Sequence, residues 1–201
     1  MKPILFSTEM VKAILENRKF QTRRVVKPQP ITISPDDKYR KPLAFWVNNK
    51  KWIKYRYQVG GTLWVRETWR ICPNGIFCYK AIGDCDTCST TGENTFNVKW
   101  KPSIHMPKEA CRLFLKITDI RVQRLQEITV DDVMAEGLPA DNEIRNSDPS
   151  THESIRAWNI AYAQHLFREL WDSLNAKRGY GWEVNPWVIA ITFEKIEKPA
   201  Q

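Results

Sequence analysis

Between Glu16 and Pro30 the chain reads ENRKFQTRRVVKPQP, which gathers Arg18, Lys19, Arg23, Arg24 and Lys27 around a single hydroxyl, Thr22. A hydroxyl can attack a carbonyl or orient a water, and a lysine amine can take the proton if it is not locked in its charged form. Desolvation and neighbouring positive charge both lower an amine from its ordinary pKa of ~10.4. Arg18, Arg23 and Arg24 are therefore the company in which Lys19 becomes a base. A structural reading competes with this one: basic residues are also favourable in a solvated turn at a helix C-terminus.

The cysteines form a second constellation. Cys85-x-x-Cys88 is half of a zinc-knuckle pattern, and Cys72 and Cys78, flanking a Pro-Asn-Gly hairpin turn, could supply two further thiolates. Two readings stand side by side: a structural zinc at Cys72, Cys78, Cys85 and Cys88, or incidental reduced thiols. No His-x-Glu precedes the Cys-x-x-Cys pair, which argues against a zinc deaminase.

These groups need elements to position them. Pro3–Phe6 reads as a strand, and Ser7 or Thr8 as the cap of a helix ending near Asn17. Residues 31–56 suggest a loop with a short hairpin. From Leu63 to Arg70 two faces alternate, Leu63, Val65, Glu67 and Trp69 against Trp64, Arg66, Thr68 and Arg70, so Arg66 and Glu67 point opposite ways. Trp64 could stack a base or pack in the core, and Arg24 could bind a phosphate or pair with Glu67. His105 has no partner motif. Residues 111–125 read as a β segment. Thr129 caps a short helix with Asp132 three residues on, and Gly137 stops it. Trp158, Tyr162, Leu166, Leu170 and Leu174 mark a long amphipathic helix, and residues 187–196 a closing strand. Strands connected this irregularly exclude a doubly wound sheet and predict an α+β fold, a small β-barrel with helices over its ends.

The formal charge of +8 on 201 residues, concentrated early in the chain, points to a polyanionic partner, most simply nucleic acid. The opening ten residues carry no apolar leader and no run approaches a membrane span, so a cytoplasmic protein without a membrane partner is expected. Five cysteines in this setting are expected to be reduced. The sequence sets no oligomeric state.

Several separated stretches, PILF…MVKAILENRKFQTRR, GTLWVRETW, WKPSIHMPKEACRLFLKITDIRVQRLQEIT, DVMAEG, LWDSLN and WEVNPWVIAITFEKI, together resemble an ASCH-domain protein of the long phage or prophage form. The resemblance implies one PUA-like domain over 1–201, with insertions at about 31–56, 72–99 and 139–152. Small bacterial members of that superfamily include an N4-acetylcytidine amidohydrolase that uses a Lys-x-x-Thr-x-Arg turn and a glutamate from a later helix. By that likeness Lys19, Thr22 and Arg24 occupy the turn, and Glu136 is the acid. Lys19, Thr22 and Glu136 are the implied catalytic residues; Arg24, Trp64, Arg66, Glu67 and Phe20 would bind substrate. Phe20 stands where relatives commonly have threonine, and Gly61 replaces a frequent aspartate.

The implied activity is hydrolysis of an N4-acyl group from a modified cytosine, in a nucleoside or in RNA or DNA, with no cofactor in the chemistry. The alternatives are a non-catalytic module holding nucleic acid or a modified base, and an ASCH-type ribonuclease in which Lys19 stabilises phosphate charge.

Overall fold

The computed structural model describes residues 1–30, 32–33, 43–46, 51–54, 56–72, 75–83, 99–138 and 153–199. Ten strands are described: β1 (Lys2–Leu5), β2 (Gln21–Val25), β3 (Thr32–Ile33), β4 (Leu43–Trp46), β5 (Lys51–Lys54), β6 (Thr62–Arg66), β7 (Trp69–Ile71), β8 (Phe77–Tyr79), β9 (Phe114–Arg124) and β10 (Trp187–Ile196). The α-helices are α1 (Thr8–Leu15), α2 (Val130–Ala135) and α3 (Glu153–Asn175). The expected α+β class is what the chain forms. The strands form a five-stranded mixed sheet in the order β1-β6-β9-β10-β2, a three-stranded β3-β4-β5 sheet and a two-stranded β7-β8 hairpin.

Two compact units share the chain. The first comprises Met1–Asn17, Gly60–Ile117 and Glu194–Gln201; the second comprises Arg18–Val59 and Thr118–Phe193. In the first unit β1 runs parallel to β6, with Ile4 opposite Val65. Ser7 caps α1 by accepting from the Met10 amide, and Val11, Ala13 and Ile14 give that helix its buried face. Burial alternates from Leu63 to Trp69, as the pattern predicts, but the strand is interrupted at Glu67–Thr68. A separate core gathers Trp69, Met106, Ala110, Cys111 and Phe114.

In the second unit β2 pairs antiparallel with β10, with Thr22 opposite Ile191. Thr129 and Asp132 close a reciprocal capping box at the start of α2, and Gly137, at φ 81°, turns the chain away after it. The core there packs Ala163, Phe167 and Trp171 of α3 against Leu125, Ile128, Val133, Trp182 and Val188. This stripe lies beside the expected one: Leu174, expected on it, is 44% exposed. Residues i, i+4 and i+8 of a helix share a face, so two neighbouring stripes satisfy the same spacing and the packing partner selects between them.

Cys72 and Cys78 form a disulfide with a Cα–Cα distance of 6.5 Å. Both were expected as reduced thiols or zinc ligands, and in the disulfide neither is a thiolate. Hairpin register brings them together, because β7 and β8 pair Ile71 with Phe77 and Arg70 with Cys78. Cys85 and Cys88 lie outside the described residues, as do most of the expected insertions.

Candidate functional site

The second unit draws a set of charged side chains out of water. A six-residue helix leaves carbonyls unpaired at its C-terminus, and the basic turn before β2 supplies the donors. Arg18 donates from Nη1 to the Gly137 carbonyl at 2.8 Å, and Lys19 from Nζ to the Glu136 carbonyl at 2.7 Å. The backbone fixes the approach: Phe20 donates its amide to the Ala135 carbonyl, and Phe193 donates its amide to Phe20. Lys19 and Glu136, 117 positions apart, thereby form an isolated β-bridge.

That bridge aims the Lys19 amine at the Glu136 carboxylate, with Nζ to Oε2 at 2.6 Å. The other oxygen, Oε1, accepts from Arg23 Nη1 at 3.1 Å. The Lys19, Arg23 and Glu136 side chains are 0%, 1% and 5% exposed. Arg23 also donates to Gln21 Oε1 at 2.6 Å and pairs with Asp132 Oδ2 at 2.8 Å, while Arg121 donates to Asp132 Oδ1 at 2.6 Å. Asp132 thus serves both the capping box of α2 and the cation network.

Burial pushes the Lys19 ammonium below its ordinary range; Glu136 pulls it back up, and the Arg24 and Arg23 charges press it down further, with the net shift downward. At Asp132 burial alone would raise the carboxyl. The Arg121 hydrogen bond, the Arg23 charge and the Thr129 amide outweigh it and hold the group below its usual value. An amine whose charge is disfavoured, next to a carboxylate, can accept and return a proton.

Thr22 and Phe20 stand differently. Successive strand residues face opposite ways, so Thr22 is on the face of β2 away from Gln21 and Arg23. The Glu136 carboxylate is held by Lys19 and Arg23, and Thr22, although buried, is not one of the groups bonded to it. Phe20, next to Lys19, is 49% exposed and Arg24 is half-buried.

The remaining predicted residues belong to the first unit. Glu67, 1% exposed, accepts from Arg112 Nε and Nη2, both at 3.0 Å. Arg112 takes the place that the sequence reading offered to Arg24. Arg112 lies 4.2 Å from the centre of the Tyr79 ring, and the Tyr79 hydroxyl donates to the Ala110 carbonyl. Arg66 donates to the Ile104 carbonyl and sits 5.4 Å from the Trp64 ring centre. A cavity of about 230 Å³ is lined by Met1, Lys108, Glu109, Phe114, Lys198 and Pro199, none of them a predicted site residue. Among the described residues no three His, Cys, Asp or Glu are grouped to hold a metal ion, and no helix is long and apolar enough to cross a membrane.

No protein-family model and no curated protein sequence matches the chain. Two solved structures are similar to it. A DUF984 protein from Enterococcus faecalis has 7% identity and a TM-score of 0.45, over 100% of this chain and 84% of that one. An ASCH domain from Lactobacillus crispatus has 13% identity and a TM-score of 0.33, over 94% of this chain and 72% of that one.

Sequence reasoning missed Gln21, Arg121 and Arg112, and it named Arg23 only as a neighbouring charge and Asp132 only as a capping residue, not as direct partners in this network. For Arg23 a signal existed: Gln21, Arg23 and Val25 alternate with Thr22 and Arg24, so Arg23 shares a strand face with Gln21. Arg121 and Arg112 had none, because their partners are set by how distant elements meet.

Proposed function

We propose that the chain hydrolyses the amide of an N4-acylated cytosine, with Lys19 and Glu136 handling the protons. The observation that carries the reading is the Lys19 amine, fully enclosed, 2.6 Å from the Glu136 carboxylate and lowered in pKa by its burial. The motif resemblance had selected these two residues, far apart in sequence, for the same chemistry. In its unprotonated form, reached by passing its proton to the adjoining carboxylate, Lys19 takes a proton from a water, and the hydroxide adds to the acyl carbonyl. As the tetrahedral adduct collapses, the C–N bond breaks, the proton passes by way of Lys19 and Glu136 to the departing N4 nitrogen, and a carboxylic acid and cytosine are released. Arg23 holds Glu136 as an acceptor. Thr22 faces away from the carboxylate, so the nucleophile in this reading is water.

A second reading is favoured by the enclosure of the pair: a module that holds a modified base without turning it over, the ion pair bracing β2 against α2. Chromatography of N4-acetylcytidine and unmodified RNA incubated with the protein separates the two. Hydrolysis predicts conversion to cytidine by the native chain, none by Lys19→Ala of native-like circular dichroism, and intact RNA. Absence of conversion by the native chain, or conversion by Lys19→Ala, overturns it.

A further inference from the structure

Asp132 lies inside α2 and Glu136 is its C-cap, four residues on and still helical at φ −70°. One turn of helix therefore puts both carboxylates on the same side, where like charges repel, and both are buried. Arg23 lets them coexist. Its Nη2 lies 2.8 Å from Asp132 Oδ2, and its Nη1 donates to Glu136 Oε1 at 3.1 Å. The guanidinium carbon sits 5.7 Å from the centre of the Phe167 ring of α3, which brings it no charge of its own.

The buried set is balanced: the cations Lys19 and Arg23 face the anions Asp132 and Glu136. Around it, Lys19 also feels the charge of Arg24, while Arg18 is turned to the Gly137 carbonyl. β10 meets the set through uncharged Thr192, which accepts from Gln21 Nε2 at 3.3 Å. On the far side of Asp132, Arg121 of β9 donates to Oδ1, and its side chain is 45% exposed. The Thr129 amide donates to Oδ2 at 3.3 Å. Charges enclosed together in a poorly screened interior titrate as one system, so a change at one member is felt at the others.

We infer that Asp132 is a positioning residue for the Lys19–Glu136 pair: it balances the charge of Arg23, so that the proton stays with the pair and can pass between its two members. The inference rests on the hydrolytic reading for its part in the reaction, but the coupling itself is read without turnover, by NMR titration of Lys19 Nζ. Asp132→Asn keeps the side-chain shape and an oxygen for the Thr129 amide, and it leaves the set with a surplus positive charge. It is expected to lower the Lys19 midpoint by about one pH unit. The alkaline loss of kcat on N4-acetylcytidine should move to lower pH with it. Thr129→Ala weakens the same helix cap but leaves the Asp132 charge in place, and its midpoint should match that of the native chain. Arg121→Gln removes a cation beside Asp132 and should raise the midpoint; this exposed position decides the matter if Asp132→Asn does not fold. An unchanged midpoint in folded Asp132→Asn, an equal fall in Thr129→Ala, or no rise in Arg121→Gln overturns the inference and leaves Asp132 a helix cap. A native chain that converts no N4-acetylcytidine overturns the hydrolytic reading instead, and the midpoints still test the coupling.

Discussion

Glu67 and Glu136 are both withdrawn from solvent and both held by cations, yet they are held in different ways. Glu67 meets a planar fork: Arg112 bonds both oxygens at 3.0 Å and is itself a quarter exposed. Glu136 meets two donors of different kinds, Arg23 on one oxygen and the Lys19 amine on the other, with both cations enclosed. A guanidinium cannot give up its proton under these conditions, whereas a desolvated amine can. The first arrangement is a brace and the second a brace with a proton that can move.

The largest effect that sharpens this contrast is on stability. Glu136→Ala strands the enclosed Lys19 amine, while Arg23 keeps Asp132 and Gln21, and is expected to cost about 3–5 kcal/mol by urea denaturation. Glu67→Ala leaves Arg112 able to reach water, and a smaller loss of about 1.5–3 kcal/mol is expected. Equal losses would mean that the two carboxylates are the same kind of support.

Alkaline pH separates the units by sign. Lys19 binds its proton less tightly folded than unfolded, so the unfolded chain carries more protons between its folded value and 10.5, and this group's contribution to stability rises with pH there. In the first unit burial raises Tyr79 above 10.0 and Cys111 above 9.0. Their contributions are complete below those unfolded values and decline as pH climbs through the folded ones. Lys19→Met should therefore steepen the alkaline loss measured by denaturation, and Tyr79→Phe should lessen it. On the acid side Asp132 contributes stability above 3.8 that is lost as pH falls through its folded value, and Asp132→Asn should flatten that limb. Opposite changes in these variants would break the contrast.

The smallest effect concerns how α2 presents Glu136. Thr129→Ala removes the hydroxyl that accepts the Asp132 amide and should cost ~1 kcal/mol, read as a lowered denaturation midpoint.

Much of this frame was legible because it is local. Ser7, the Thr129–Asp132 box, Gly137 and the strand over Trp187–Ile196 are each set by residues within a few positions of one another. The alternation that buries Glu67 was equally plain, but not the identity of Arg112, 45 positions away. Lys19 and Glu136 were paired only through the motif resemblance, since nothing in spacing links residues 117 apart. The position of Thr22 in Lys-x-x-Thr carries no strand register, which the pairing of β2 with β10 sets opposite Ile191. The cysteines were counted as thiols from composition, whereas hairpin register joins two of them.

The central claim is that the amine beside Glu136 gives up its proton more readily than an ordinary lysine, and NMR titration of the Lys19 side chain in isotope-labelled protein tests it directly. The account predicts that the Lys19 Nζ resonance titrates below 10.5 and that its midpoint falls further in Glu136→Gln, where the carboxylate no longer holds the charge. A midpoint at or above 10.5 in the native protein would contradict it and leave Lys19 a second brace.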